Sequence, residues 1–370
     1  MRVLVTTFPG KGHFHPVAPL ALAMQRSGHD LRVATDPSFG RWVEACGFTL
    51  LPAGPSEAEM VAATAALTPE ERSIQEFTSV WVPTFTRDVL GSLDRWRPEL
   101  VVSEEGEHAG ALLAAVLGVP VVTHSWPAPA RPPEIRAALA DALDDVWAAF
   151  GQEGPARLWG DRYLDCCPPP LQTPDVRTIP GVIVVRPRLF DGPPVAAPPW
   201  LNELVRPVVF VTLGTVSIFA RPEVLRWVVD AVRPVAGTVV VATGPSPETV
   251  VPADPGIRVA RYVPLSAILP MSDLVVSHGG ASTSLGCFLA GVPQVVVAQG
   301  APSQRRVAAA IVRSGIGASV DAQASQSETL AAAATEVLAD REIRDRIETA
   351  RATLDTLPAP EEVAAYLAPG

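Results

Sequence analysis

Two short stretches of this chain hold residues whose types and spacing could act together. Gly12-His13-Phe14-His15-Pro16 lies close behind an apolar run. An imidazole in a loop at the carboxyl end of a strand suits general-base work, because it titrates near neutral pH. A histidine that only holds the loop is the plainer alternative for His13 and His15 alike. Ser277-His278-Gly279-Gly280-Ala281-Ser282-Thr283 lies between an apolar run and a helix-forming one. Its small residues would leave backbone N–H groups uncovered at the positive end of a helix, a cradle for phosphate or diphosphate. Thr283 adds a hydroxyl and His278 a ring nitrogen. A histidine base also needs a partner that fixes its tautomer and stabilises the imidazolium. Glu104-Glu105-Gly106-Glu107 follows the apolar Leu100-Val101-Val102, so Glu104 or Glu107 could reach His13. A solvated acidic loop is the alternative. Gly214-Thr215, after a third apolar run, reads as a strand-to-helix turn able to face the same diphosphate, although a purely structural turn fits as well. Val263-Pro264-Leu265 precedes a helix and says little alone. His29 reads as a helix-end residue, and His124 as either cleft lining or packing.

Composition narrows the partners. At 370 residues two domains are expected, and 48% hydrophobic content suits a well-packed α/β chain. A net charge of −10 argues against nucleic acid or an anionic membrane surface, so backbone donors and helix ends must hold any phosphate. Lysine occurs once, at Lys11. The start of the chain enters a strand without the apolar region of a signal peptide, and no apolar stretch reaches the ~20 residues of a membrane span. A cytoplasmic location is the expectation. Cys46, Cys166, Cys167 and Cys287 have no metal-ligand spacing and are expected to be reduced thiols, with no zinc site.

Strands alternating with helices position these residues. Val3 to Thr6, Leu31 to Thr35, Phe48 to Leu51, Leu100 to Val102 and Val119 to Val122 read as strands of a first parallel sheet. Val208 to Thr212, Thr238 to Ala242, Ile257 to Ala260, Leu274 to Ser277 and Gln294 to Ala298 read as a second. The fold class is α/β, two doubly wound Rossmann-like domains facing a cleft, with ligands at the carboxyl ends of strands. Residues 1–190 are expected to form an N-terminal domain, 191–200 a proline-rich linker and 201–350 a C-terminal domain. Residues 351–370 form a tail expected to pack back on the N-terminal domain. Pro55 to Arg87 and Pro127 to Pro180 break the rhythm and are expected either to shape a pocket or to run as surface loops. Trp81, Phe85, Trp126 and Trp159 would then form an apolar wall.

Taken in this order, the segments resemble the family 1 glycosyltransferases of GT-B fold, especially actinobacterial enzymes that decorate antibiotics and other natural products. Gly12-His13-Phe14-His15-Pro16 resembles the loop bearing the family's base, and Arg97 to Val102 the strand that ends near its acidic partner. Val211 to Thr215 is similar to the donor domain's first strand and turn. Tyr262-Val263-Pro264-Leu265 is similar to the base-contacting segment. His278 to Thr283 with Ala290-Gly291-Val292-Pro293 resembles the donor signature. The resemblance implies an inverting transfer of a sugar from a nucleoside diphosphate, TDP or UDP, to a hydrophobic acceptor, without a metal cofactor. It implies His13 as base with Glu104 or Glu107 as orienter. The diphosphate would be held by Gly214, Thr215, Val263, Leu265, His278, Gly279, Gly280, Ala281, Ser282 and Thr283. Ser303 and Gln304 would touch the sugar, and Phe14, Trp81, Phe85 and Trp126 would wall the acceptor pocket. Partners are small molecules, with a homodimer or an auxiliary protein left open.

The chain departs from the family at Ser282 for Gly, Gly286 for Glu, Ser303 for Asp and Val307 for Asn. A neutral serine replacing an aspartate forfeits about 1.5–3 kcal/mol of charge-assisted hydrogen bonding, which a deoxysugar would miss least. A GT-B protein that has lost sugar transfer, serving as auxiliary partner or acting differently on a natural product, is the alternative. A nicotinamide enzyme fits poorly, because no GxGxxG follows the first strand. A nucleotide-sugar epimerase fits the apolar, proline-broken acceptor region less well.

Overall fold

Unalternating apolar runs such as Val3-Leu4-Val5 and Val208-Val209-Phe210-Val211 require cover on both faces, which a parallel sheet between helix layers provides. The computed structural model describes residues 1–94, 96–216, 221–323 and 326–367. Its first sheet comprises β1 (Arg2–Thr6), β2 (Asp30–Thr35), β3 (Thr49–Pro52), β4 (Leu100–Glu104), β5 (Val121–His124), β6 (Arg162–Asp165) and β7 (Val182–Val184), in the order β3-β2-β1-β4-β5-β6-β7. The second comprises β8 (Val208–Thr212), β9 (Thr238–Ala242), β10 (Ile257–Ala260), β11 (Leu274–Ser277), β12 (Gln294–Ala298) and β13 (Gly317–Asp321), in the order β10-β9-β8-β11-β12-β13. All pairings are parallel, and the strand cores are buried. Each sheet reverses its order once, between β1 and β4 and between β8 and β11. The loops leaving those neighbouring strands part there and open a crevice.

Three strands escape the sequence reading. β6 stands inside Pro127 to Pro180, where prolines and terminal charges hide four residues whose centre, Tyr163-Leu164, is buried. β7 has only three residues, and β13 (Gly-Ala-Ser-Val-Asp) is built largely of small ones; both close sheet edges, where less burial is demanded.

The expected loop at Gly12–Pro16 is also corrected. The helix Lys11–Arg26 begins five residues after β1 and takes in Pro16 and Pro19. Proline is ordinarily excluded from a helix interior, since it withholds an N–H from the carbonyl four residues back. Gly10, at φ +148, makes the turn into this helix in a conformation that a side chain would strain.

The linker lies against both domains. The Asp191 carboxylate accepts the N–H groups of Leu265 (3.2 Å) and Ser266 (2.8 Å), and Tyr262 donates its hydroxyl to the Asp191 carbonyl at 2.8 Å. Near the chain end, the helix Pro360–Leu367 packs on the helix Lys11–Arg26, with Val363 and Ala364 buried in the first domain's core. Arg188 pairs with Glu361 at 2.9 Å. Residues 368–370 of the expected tail lie outside the described residues. No helix among those described is long and apolar enough to cross a membrane.

Candidate functional site

β1 and β4 are neighbours at the first crevice, with Thr6 opposite Ser103. β4 ends in Glu104, and His13 stands in the first turn of the helix after β1. Nδ1 of His13 lies 3.0 Å from Oε2 of Glu104. An ionised carboxylate only accepts, so Nδ1 carries the proton and Nε2 presents the lone pair. The His13 side chain is 21% exposed and that of Glu104 0%, which leaves the imidazole reachable and its partner shielded from water. Burial by itself would raise the Glu104 carboxyl. The facing His13 and the Gly106 N–H, 2.5 Å from Oε1, outweigh it and hold the group below its ordinary range.

The acidic run is no solvated loop, for all three carboxylates are buried. Glu105 accepts the Trp126 N–H at 3.1 Å. Glu107 turns away from His13 and takes the indole N–H of Trp81 (2.9 Å) and the N–H groups of Ala109 (2.9 Å) and Gly110 (3.0 Å). These last two open the helix Ala109–Leu117, so Glu107 supplies the negative charge that a helix start favours. Burial pushes its carboxyl up to about 7 against the pull of these donors. The open choice between Glu104 and Glu107 as the residue beside His13 thus falls to Glu104.

Three of the four expected acceptor-wall residues are core. Phe14 is fully buried against Phe39, Phe48 and Phe190. One helix residue beyond His13, it points about 100° away from the cleft. Trp81 and Phe85 are fully buried, their faces spent on the first domain's core. Trp126 alone stands by the site, edge-on to His13 with ring centres 4.9 Å apart. Trp159 packs on Tyr163. The wall includes two residues that sequence reasoning missed, Phe8 and Phe77, at 5.1 and 6.3 Å from the His13 ring. Phe8 stands two residues beyond the end of β1, a placement that marks it for the crevice. Phe77 comes from the Pro55–Arg87 segment, which therefore does reach the site. Half-buried Glu76 lies beside it; desolvation raises its carboxyl against the pull of Arg72 and His13. His15 is a buried acceptor for the Trp42 indole (3.3 Å), and burial and nearby Lys11 push it down to about 4. His124 donates to the Ser125 carbonyl, and His29 meets the chain's amino group; neither reaches His13.

The segment expected to cradle a diphosphate stands at the second crevice. Gly280 caps the helix Ala281–Ala290, whose first-turn N–H groups have no acceptor within the helix and whose first turn carries no acid. A cleft is lined from this side by Gly280 to Thr283, His278, Gly214, Thr215, Val263 and Leu265, and from the first domain by Lys11, Gly12 and His15. Gly279 lies buried beneath it. His278 underlies the cradle: its ring donates to the Thr212 backbone, and burial pushes it down to about 4, so it stays neutral. A methyl group on Gly214 would stand 2.6 Å from its Cε1, and one on Gly280 2.7 Å. Gly214 also has φ +86. Gly214→Ala is therefore expected to destabilise the fold by roughly 2–4 kcal/mol, from left-handed strain plus overpacking. Melting curves of a double-mutant cycle check this: the penalty should shrink in a His278→Ala background, and equal penalties would refute the ring contact.

The expected sugar contacts sit elsewhere. Gln304 is buried, and its carbonyl oxygen is taken by the Gln299 N–H at 2.9 Å; Ser303 beside it is half-buried, and neither lines the cleft. Val307 belongs to the second domain's core, so an asparagine there would bury its amide. A Cβ at Gly286 would meet side-chain carbons of Leu269, Leu189 and Leu265 at 2.9–3.4 Å, so the space beside it is apolar and filled.

The chain matches both domains of one protein family. Residues 22–214 match the erythromycin biosynthesis protein CIII-like N-terminal domain, and 226–369 the corresponding C-terminal domain. It is similar to L-demethylnoviosyl transferase of Streptomyces niveus, 34% identical over 310 residues that cover 80% of this chain and 79% of that protein. It is 28% identical to the TDP-daunosamine transferase DnrS of Streptomyces peucetius over 354 residues, 80% of each chain. The crystal structure of the Streptomyces sp. SF2575 glycosyltransferase SsfS6, complexed with thymidine diphosphate, aligns over 99% of both chains at a TM-score of 0.82 and 26% identity.

Proposed function

Because this chain belongs to the erythromycin biosynthesis protein CIII-like family and is a GT-B glycosyltransferase of the antibiotic type, we propose that it transfers a deoxysugar, with inversion, from a nucleoside diphosphate to a hydroxyl of an apolar natural product. One observation carries the reading: a buried carboxylate orients an accessible imidazole at one switch point, while an acid-free helix start waits at the other. The acceptor O–H gives its proton to Nε2 of His13 as its oxygen bonds the anomeric carbon. The bond from that carbon to the diphosphate oxygen breaks on the opposite face, and its electron pair leaves with the diphosphate. Glu104 stabilises the imidazolium, and the N–H groups of Ala281 to Thr283 meet the charge that develops on the leaving group.

Phe8, Phe77 and Trp126 around His13 favour a flat, apolar acceptor. The thymidine diphosphate in SsfS6 and the TDP-sugar named for DnrS make TDP the first nucleotide to try. Isothermal titration is expected to find TDP binding in the ~1 μM–1 mM range common for enzyme substrates, with UDP the second candidate. No heat with either nucleotide would sink the donor reading.

A further inference from the structure

The chain's single lysine opens the helix that carries His13. Its ammonium lies 3.7 Å from the ring centre of Trp42, in the first domain, and 4.4 Å from that of Tyr262, in the second. Lys11 lines the same cleft as Gly280 and Ser282. Neither helix that points its start into this cleft, Lys11–Arg26 or Ala281–Ala290, has an acid in its first turn. Asp191 also lines the cleft, but its two oxygens already accept the Leu265 and Ser266 N–H groups. His278 is neutral there. Positive potential from two domains therefore converges on one gap. The aromatic rings that now hold the ammonium offer only the weak attraction of a cation over a π face.

Resting on the donor reading above, we propose that Lys11 is a donor-binding residue supplied by the acceptor domain. When the nucleotide enters, its ammonium leaves the face of Tyr262 for the diphosphate. A charge-assisted contact to a phosphate oxygen is stronger than a cation–π contact, and the four-carbon stem provides reach. The move frees one face of Tyr262 for the nucleotide base. It also ties the two domains together through the ligand, since the cradle belongs to one and Lys11 to the other.

Titrations of TDP into the unaltered protein, Lys11→Met and Lys11→Arg test this. Methionine keeps the stem without the charge. Lys11→Met is expected to weaken TDP binding about ten- to a hundredfold, the range for losing a hydrogen bond to a charged group, and Lys11→Arg to keep most of the affinity. A second readout uses the scarcity of lysine. The chain's amines are Lys11 and its amino group alone, so masses of N-acetylated peptides should show TDP slowing Lys11 acetylation while thymidine does not, with the amino group as internal reference. TDP affinity unchanged in Lys11→Met, equal losses in both variants, or equal protection by thymidine would each overturn the role of Lys11. Failure of the unaltered protein to bind TDP or UDP would instead overturn the donor reading, and this inference with it.

Discussion

His13→Ala is expected to lower the rate of sugar transfer by about 10²–10⁴, the usual worth of a positioned general base, while TDP affinity stays nearly unchanged. The two readouts separate because the residue stands at one crevice only. His13 faces Glu104, Trp126 and the Phe8–Phe77 wall, whereas the cleft with the helix start at Gly280 is lined from the first domain by Lys11, Gly12 and His15. Turnover with a natural-product acceptor, measured beside nucleotide titration, checks both halves. Unchanged turnover would remove His13 from the base role. His15→Ala makes the contrast. That ring is buried, is pushed down to about 4 and accepts the Trp42 indole N–H, so its loss should act on thermal stability before it acts on rate.

How much of this was readable beforehand follows the physics of each signal. Strands buried on both faces announce themselves through unbroken valine runs, so β1, β4, β8 and β11 could be read, and with them the switch points that hold the chemistry. Short strands and strands of small residues give no such run, which hid β6, β7 and β13. Composition also leaves open which way a helix face turns. Trp81 and Phe85, one turn apart on a shared face, fit a pocket wall as well as a core, and the core took them. Gly12 and Pro16 argued for a loop where the chain forms a helix, yet His13 arrives at the β1 edge either way. Among the carboxylates, Glu104, Glu105 and Glu107 are alike in type and nearly adjacent. Only the three-dimensional course of the strand end separates the one beside the imidazole from the two that hold Trp126 and a helix start.

That separation has a measurable consequence. Glu104→Gln is expected to cut turnover by about 10²–10⁴, the worth of a positioned general base, with the upper end matching the roughly 10⁴-fold loss when an amide replaces the histidine-orienting carboxylate of the serine-protease triad. Glutamine offers His13 a neutral amide. Turned nitrogen-first, it forces the proton to Nε2 and removes the base; turned oxygen-first, it keeps the tautomer but withdraws the charge that stabilises the imidazolium. Glu107→Gln should do the opposite. Its two oxygens receive three N–H donors, from Trp81, Ala109 and Gly110, and an amide can replace only one of those oxygens as acceptor. At least one buried N–H then meets another donor, at a cost of about 1–3 kcal/mol, while the imidazole and its partner are untouched. Melting temperature should therefore fall in Glu107→Gln with turnover largely kept, and turnover should fall in Glu104→Gln with the larger proportional effect on rate. If the pattern came out reversed, Glu107 would be the carboxylate that serves the histidine during turnover, and the loop after β4 would have to rearrange when the acceptor binds.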